Sequence, residues 1–405
     1  MPTQFNIQQL TRAWFLCSLF IFGIAACASM KTMEADLDAG FWAYATVAAF
    51  FVWGLSGVLL YFPDYCLYKP SLPILCYALF LLWTFVPTMA YGKEETTTKL
   101  ITDLCWILLP LLVLFGSYNT VRNYGPSKWD VPAFCLLSLM VAGQYYLIFR
   151  ELNIFLEHSH LACSYFALYL LPLTFLSKSK AVRIIFAIIA IIVVVSSVKR
   201  GGVLALILAL FIYIACWAFV AKKLRFSTIA IGIVGLALFG TLVFMAGVSD
   251  ENNNVFERFE NVEEDQGSNR VVVWGMSAAM IAKSEGVQLL AGHGYNSVLA
   301  DSPIMLSAHN DFIEVTYDYG VIGIVLYILS IIVTLFYLLI MIRRKSEYAP
   351  PLAMMMVAYL LLSMMSHVII YFFANVVMLT IGYIIGRYEY DKMIQDSEPE
   401  YYAKD

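Results

Sequence analysis

The chain has 405 residues, 61% of them hydrophobic and 13% charged, with a mean hydropathy of +0.77. Soluble globular chains carry about 25% charge, so the composition excludes that class and indicates a polytopic membrane protein. The net charge of -4 comes without a basic patch, which excludes nucleic acid as a partner.

Apolar runs of about 18 to 22 residues recur, each long enough to cross about 30 Å of hydrocarbon as a helix. They fall near Ala13 to Met30, Phe41 to Tyr61, Ser71 to Tyr91, Lys99 to Tyr118, Trp129 to Phe149, His160 to Ser177, Ala181 to Val198, Gly202 to Ala221 and Phe226 to Val248. After a long polar segment come Gly320 to Ile342, Pro351 to Ser366 and a shorter Phe373 to Arg387, where Ser363 to Ala374 either turns or continues the helix. The prediction is an all-α bundle of about twelve spans. Residues 1–405 form one integral membrane domain, from which 249–319 emerge as one large helical loop. That loop of about 70 residues is too small to bury a core of its own.

Alternate loops differ in Lys and Arg. One set holds Arg12, Lys69, Arg122, Lys128, Lys178, Lys180, Arg183, Lys222, Lys223, Arg225, Arg343, Arg344, Lys345, Arg387, Lys392 and Lys404, and the other includes the acid-rich MKTMEADLDAG and YGKEETTTK turns. The positive-inside rule makes the first set cytoplasmic. Both termini are then cytoplasmic, and the long loop is extracytoplasmic. The first run, with Ile24-Ala25-Ala26-Cys27, resembles a lipoprotein signal, but its core is too long and its start too poor in cations. The eight cysteines (Cys17, Cys27, Cys66, Cys76, Cys105, Cys135, Cys163, Cys216) lie in or beside the first eight spans, with no disulfide framework or metal-ligand spacing.

Chemistry concentrates on the outer side. VVVSSVKRGG places Lys199 and Arg200 at a tight turn between two spans. A cation at a helix end often only snorkels, but cations on the outer face run against the topological bias, and an anionic ligand supplies a reason for them. GSNRVVVWGMSAAMIAKSEG reads as an amphipathic helix, capped by Ser268 or Asn269, opened by Arg270 and stopped by Gly286. Arg270, Trp274, Ala278 and Ile281 share one side, so Trp274 is expected to seat the helix at the membrane interface and aim Arg270 inward. Arg258 and Lys283 are the other cations of this loop. AGHGYNSV then makes a glycine-bounded turn, and SAHNDFIEVTYDYG places His309 and Asn310 at a helix start that Gly320 ends. A helix N-terminus suits a phosphate. His293 fills its turn. Arg150 and Glu151 either reach the same space or pair with each other, and His367 is a further candidate, whereas His158 and His160 are two apart and do not share a helix face.

In this order, SSVKRGG, SNRVVVW, GHGYNSV and AHNDFIEVTYDYGVIG resemble the successive motifs of the O-antigen ligase and polymerase superfamily, over about Val193 to Ile342. The resemblance implies a GT-C-like helical membrane fold at the bacterial inner membrane. It implies a polyprenyl-diphosphate-linked glycan donor and a glycan or glycolipid acceptor such as lipid A-core, with no cofactor or metal. Lys199 before the arginine and the acidic outer loop depart from the family's pattern, and the second departure leaves the acceptor open.

Cleaving a sugar-diphosphate bond moves negative charge onto the leaving group, which fixed guanidinium groups stabilise; this falls to Arg200 and Arg270. Lys199, Trp274 and Asn310 complete the expected diphosphate and glycan contacts. His309 either takes the proton of the attacking hydroxyl or donates a hydrogen bond to the diphosphate. Attack opposite the leaving group inverts the anomeric centre. Ligase, repeat-unit polymerase and, from another class, transporter or flippase all stay open. A transporter should carry ionised residues at mid-membrane, where this chain has little beyond Gln144 and Asp103.

Overall fold

The computed structural model describes residues 7–35, 40–56, 70–91, 97–155, 161–221, 270–369 and 372–397, and among these there is no strand. The helices are α1 (Ile7–Ala35), α2 (Gly40–Ser56), α3 (Leu72–Tyr91), α4 (Thr97–Tyr124), α5 (Asp130–Phe155), α6 (Tyr165–Thr174), α7 (Lys180–Ser196) and α8 (Arg200–Val220). They continue with α9 (Arg270–Lys283), α10 (Gly286–Ala291), α11 (Ser297–Asp301), α12 (Asp311–Arg343), α13 (Ala349–Met365) and α14 (Phe373–Ser397). Six described helices have segments long and apolar enough to cross a membrane: Gln9–Lys31, Leu72–Tyr91, Asp103–Tyr124, Asp130–Glu151, Arg200–Val220 and Asp311–Arg343. Shorter apolar helices accompany them at Tyr44–Leu55, Ala162–Thr174 and Ala349–Met365. The chain is a multi-pass helical membrane protein. The run Phe226 to Val248 lies outside the described residues, as do His158, His160, Arg258 and the acidic part of the long loop.

Between helices in lipid, association depends on close packing more than on hydrophobic gain. The tightest such contact is α14 on α4. A Cβ at Gly382 would lie 2.3 Å from Ser117 Oγ, and one at Gly386 2.6 Å from the Tyr118 carbonyl oxygen, so two glycines one turn apart let the backbones approach. Phe15, Phe22, Trp53, Phe134, Phe372 and Tyr383 fill the space among α1, α2, α5 and α14 with edge-on and tilted ring contacts. The outward sides of α7 (Ile184, Ile185, Ile188, Ile192) and α12 (Val325, Ile328, Ile332, Phe336) stay exposed and apolar, as a lipid-facing surface requires.

Polar groups gather at the two ends of the bundle. At one end Asp130 accepts from Tyr383 Oη (2.8 Å) and the Ser127 amide (2.8 Å) and pairs with Arg12 (3.4 Å), tying α1, α5 and α14. At the other, Lys31 reaches Glu151 (3.9 Å), so Glu151 pairs with α1 rather than with its neighbour Arg150. Cys27 lies inside the unbroken α1.

Candidate functional site

Three chain segments converge at the end of the bundle marked by Glu151. The first is the turn between α7 and α8. Val198 turns the chain with φ +54°, Lys199 is extended and precedes the helix, and Arg200 opens α8. Both cations are half-buried. A Cβ at Gly201 would lie 3.8 Å from Met365 at the end of α13, and one at Gly202 would meet the Tyr165 ring at 2.8 Å. The turn is therefore held against the end of α13 and the start of α6.

The second segment is α9, described from Arg270 onward; the expected caps Ser268 and Asn269 lie outside the described residues. The helix ends at Lys283, three residues before the expected stop at Gly286, and Gly286 with φ +55° instead begins α10. Trp274 has a different role from the interfacial anchor expected of it. Its indole N-H donates to the Ala308 carbonyl (2.8 Å), and its ring packs on a small core of Val298, Ala308 and Tyr317. It seats α9 on the loop that carries His309.

That loop and the start of α12 form the third segment. Asn310 caps the helix: its side-chain oxygen accepts from the Phe312 (2.9 Å) and Ile313 (3.3 Å) amides, and its Nδ2 donates to the Met364 carbonyl (3.3 Å). His309 sits just before the cap with φ +52°. Gly320 breaks α12 without ending it, at φ 70° and ψ -172°. Against this kink lies the glycine turn: Gly294 N donates to the Asp318 carbonyl (2.8 Å) and His293 N to the Tyr317 carbonyl (3.1 Å). The buried Asp318 carboxylate accepts from the Asn296 (2.9 Å) and Val298 (3.0 Å) amides. His293 stacks on Tyr317 (4.1 Å between centroids) and bonds Ser284 (2.9 Å), a role in the turn and not in the cluster.

His367 joins them from the loop between α13 and α14, where the chain turns. Its ring lies 4.4 Å from that of His309. Its Nδ1 is 3.1 Å from the Glu314 carboxylate and its Nε2 2.9 Å from Ser307 Oγ. Glu314 also accepts from the His309 amide (3.2 Å), and Asp311 accepts from the Val368 amide (2.9 Å) and from Tyr327 Oη (3.4 Å). Two buried carboxylates on the first turn of α12 thus strap the His309 and His367 loops together.

Burial, then the charges of neighbouring His367, Arg270 and Lys199, lower the His309 pKa to about 3. Burial also lowers His367, to about 4, with Asp311 opposing and Arg270 and Lys199 reinforcing the shift. Lys199, Arg270, His309 and His367 therefore share one electrostatic environment, with Arg200 next in chain to Lys199. Two neutral imidazoles facing fixed cations can bind an anion and handle a proton at neutral pH. Among the described residues no group of His, Cys, Asp and Glu has the arrangement of a metal site.

A cavity of about 1040 Å³ opens at the opposite end of the bundle, lined by Lys128, Lys178, Arg183, Lys345 and Arg387. It shares no residue with the histidine cluster. Ser307, Glu314, Asp311 and Asp318 were not singled out from sequence. An acid in the first turn of a helix ordinarily reads as a solvated partner of the helix dipole.

Residues 185–328 match a family model described as O-antigen ligase. The match takes in Lys199, Arg200, Arg270, Trp274, His309 and Asn310 and stops short of His367. No curated protein matches the chain.

Proposed function

Since residues 185–328 match a family model described as O-antigen ligase, we propose that this chain belongs to the O-antigen ligase-related superfamily and is an O-antigen ligase. In this reading it moves a glycan from a polyprenyl-diphosphate carrier to a sugar hydroxyl of lipid A-core or a related surface glycan. One observation carries the reading: the His309 and His367 rings lie 4.4 Å apart at one end of a membrane bundle, within the electrostatic reach of Lys199 and Arg270.

Arg200 and Arg270 take the charge that develops on the leaving diphosphate, and Lys199 adds to the positive field. Asn310 holds the helix start, and Trp274 holds α9 to the His309 loop. The acceptor hydroxyl attacks opposite the diphosphate, which inverts the anomeric centre without a metal. His309 stands beside the scissile bond as proton acceptor or diphosphate ligand.

The architecture that goes with this reading is a GT-C-like bundle of about twelve spans in the bacterial inner membrane. It is a single domain with both termini cytoplasmic, and the loop 249–319 and the cluster face the periplasm.

Glycan analysis of a deletion strain tests the assignment. A ligase predicts lipid A-core without its long-chain ladder and polymer retained on the lipid carrier. Core bearing a single repeat would make the protein a polymerase, and an unchanged glycan profile would remove it from this chemistry.

A further inference from the structure

The two histidines are not equivalent. His309 is half-buried, follows the Trp274-anchored Ala308, and has Arg270 and Lys199 among the charges acting on it. His367 is only 2% exposed and stands in a chain of hydrogen bonds, Ser307 Oγ to Nε2 (2.9 Å) and Nδ1 to Glu314 (3.1 Å). The Glu314 carboxylate also accepts the backbone N-H groups of Ala308 and His309. With Glu314 ionised, its carboxylate accepts from Nδ1 of His367, which then carries the proton. Nε2 is then the ring's acceptor, and the Ser307 hydroxyl donates to it. Ser307 itself is half-buried and remains partly open.

Resting on the glycosyl-transfer reading above, we propose that Ser307, His367 and Glu314 form the proton relay of the reaction, and that His309 is a ligand of the donor's diphosphate. In the transfer step the acceptor oxygen forms its bond to the anomeric carbon while the bond from that carbon to the diphosphate oxygen breaks, its electron pair leaving with the diphosphate. The acceptor's proton passes to Ser307 Oγ, and the Ser307 proton passes to Nε2 of His367. The imidazolium so formed lies against the Glu314 carboxylate. The arriving diphosphate offsets Arg270 and Lys199, two of the charges that hold His367 in its neutral form, and so strengthens it as a base. His309, with its cationic neighbours and its place at a capped helix start, presents a ring N-H to the same anion.

The test is steady-state transfer by purified full-length protein from a polyprenyl-diphosphate-linked glycan to an acceptor glycan, with thermal unfolding recorded for every variant. Ser307→Ala should lose about 10² to 10⁴ in kcat while donor KM stays within threefold. Ser307→Thr, which keeps the hydroxyl, should retain most of the rate. His309→Ala should show its main loss as a raised donor KM. Position 307 is partly open, so its variants keep the proposal testable should His367→Gln or Glu314→Gln fail to fold. A Ser307→Ala enzyme within threefold of the wild-type kcat and equally heat-stable would overturn the relay alone. A Ser307→Thr enzyme as slow as Ser307→Ala, or a His309→Ala enzyme with unchanged donor KM and lowered kcat, would also overturn it. A wild-type enzyme that transfers nothing from this donor would overturn the parent reading with it.

Discussion

Replacing Gly320 with alanine should disable the site from a position that touches no expected substrate. Gly320 adopts φ 70° and ψ -172°, a region that only glycine occupies without strain, and the cost of forcing alanine there is about 1–3 kcal/mol. The new Cβ would lie 2.3 Å from the Leu290 carbonyl oxygen and 2.6 Å from the Gly292 amide nitrogen, where ordinary contact begins at 3.4 Å. The glycine turn and the α12 kink must therefore part by about 1 Å. That movement breaks the bonds from Gly294 and His293 to the Asp318 and Tyr317 carbonyls, each worth about 0.5–1.5 kcal/mol. The sum is roughly 2–6 kcal/mol of lost stability. Because this kink sets the direction of the N-terminal part of α12, which Asn310 caps and which carries Glu314, a shift of about 1 Å should cost on the order of 10²-fold in turnover. Thermal unfolding of detergent-purified protein and donor turnover measure the two effects. Gly275→Ala is the control: it sits in the exposed middle of α9 with no atom within 4 Å of the new Cβ, and should stabilise by about 0.5–1 kcal/mol. A Gly320→Ala protein with wild-type melting temperature and turnover would refute the claim that this kink sets the site.

Trp274→Phe keeps the ring but leaves the buried Ala308 carbonyl without its donor; a loss of about 1–3 kcal/mol and a drop of a few degrees in melting temperature are expected by differential scanning fluorimetry. In donor-free protein the His309 and His367 imidazoles, lowered by burial to about 3 and about 4, should not titrate between pH 8 and pH 5 by NMR; midpoints near 6.5 would contradict the burial argument. The unfolded chain takes up those protons near pH 6.5, so both groups make stability fall as pH drops from 6.5 toward 4, and an acid-side gain in stability would reverse the sign. A cysteine placed at Asn253 should react with an impermeant thiol reagent in intact spheroplasts and one at Ser346 should not; the reverse pattern would put the site in the cytoplasm.

Much of the site's local structure is legible in the sequence because it depends on neighbours along the chain. Asn310 two and three residues before the amides it caps and Gly320 at a break both follow from capping and backbone rules. The partners remote in sequence are not. His367 is 53 residues from Glu314 and 60 from Ser307, and neither helical period nor composition joins those points. Trp274 misled for a related reason. A tryptophan on an amphipathic helix beside a membrane reads as an interfacial anchor, and the carbonyl it serves, 34 residues away, cannot be seen until the loop folds over it. The close approach of α14 and α4 is visible afterwards in Gly382 and Gly386, but a pair of glycines at that spacing does not say which helix it faces.

The measurement closest to the central claim is release of polyprenyl diphosphate by purified wild-type, Arg200→Ala and Arg270→Ala proteins given a lipid-diphosphate-linked glycan and an acceptor glycan. If these guanidinium groups stabilise the leaving diphosphate, each alanine variant should be folded and lose about 10² to 10³ in turnover. Lysine at either position should recover little of it, since a point charge does not reproduce a planar bidentate contact. Wild-type rates in both alanine variants would contradict the account and move the chemistry away from this end of the bundle.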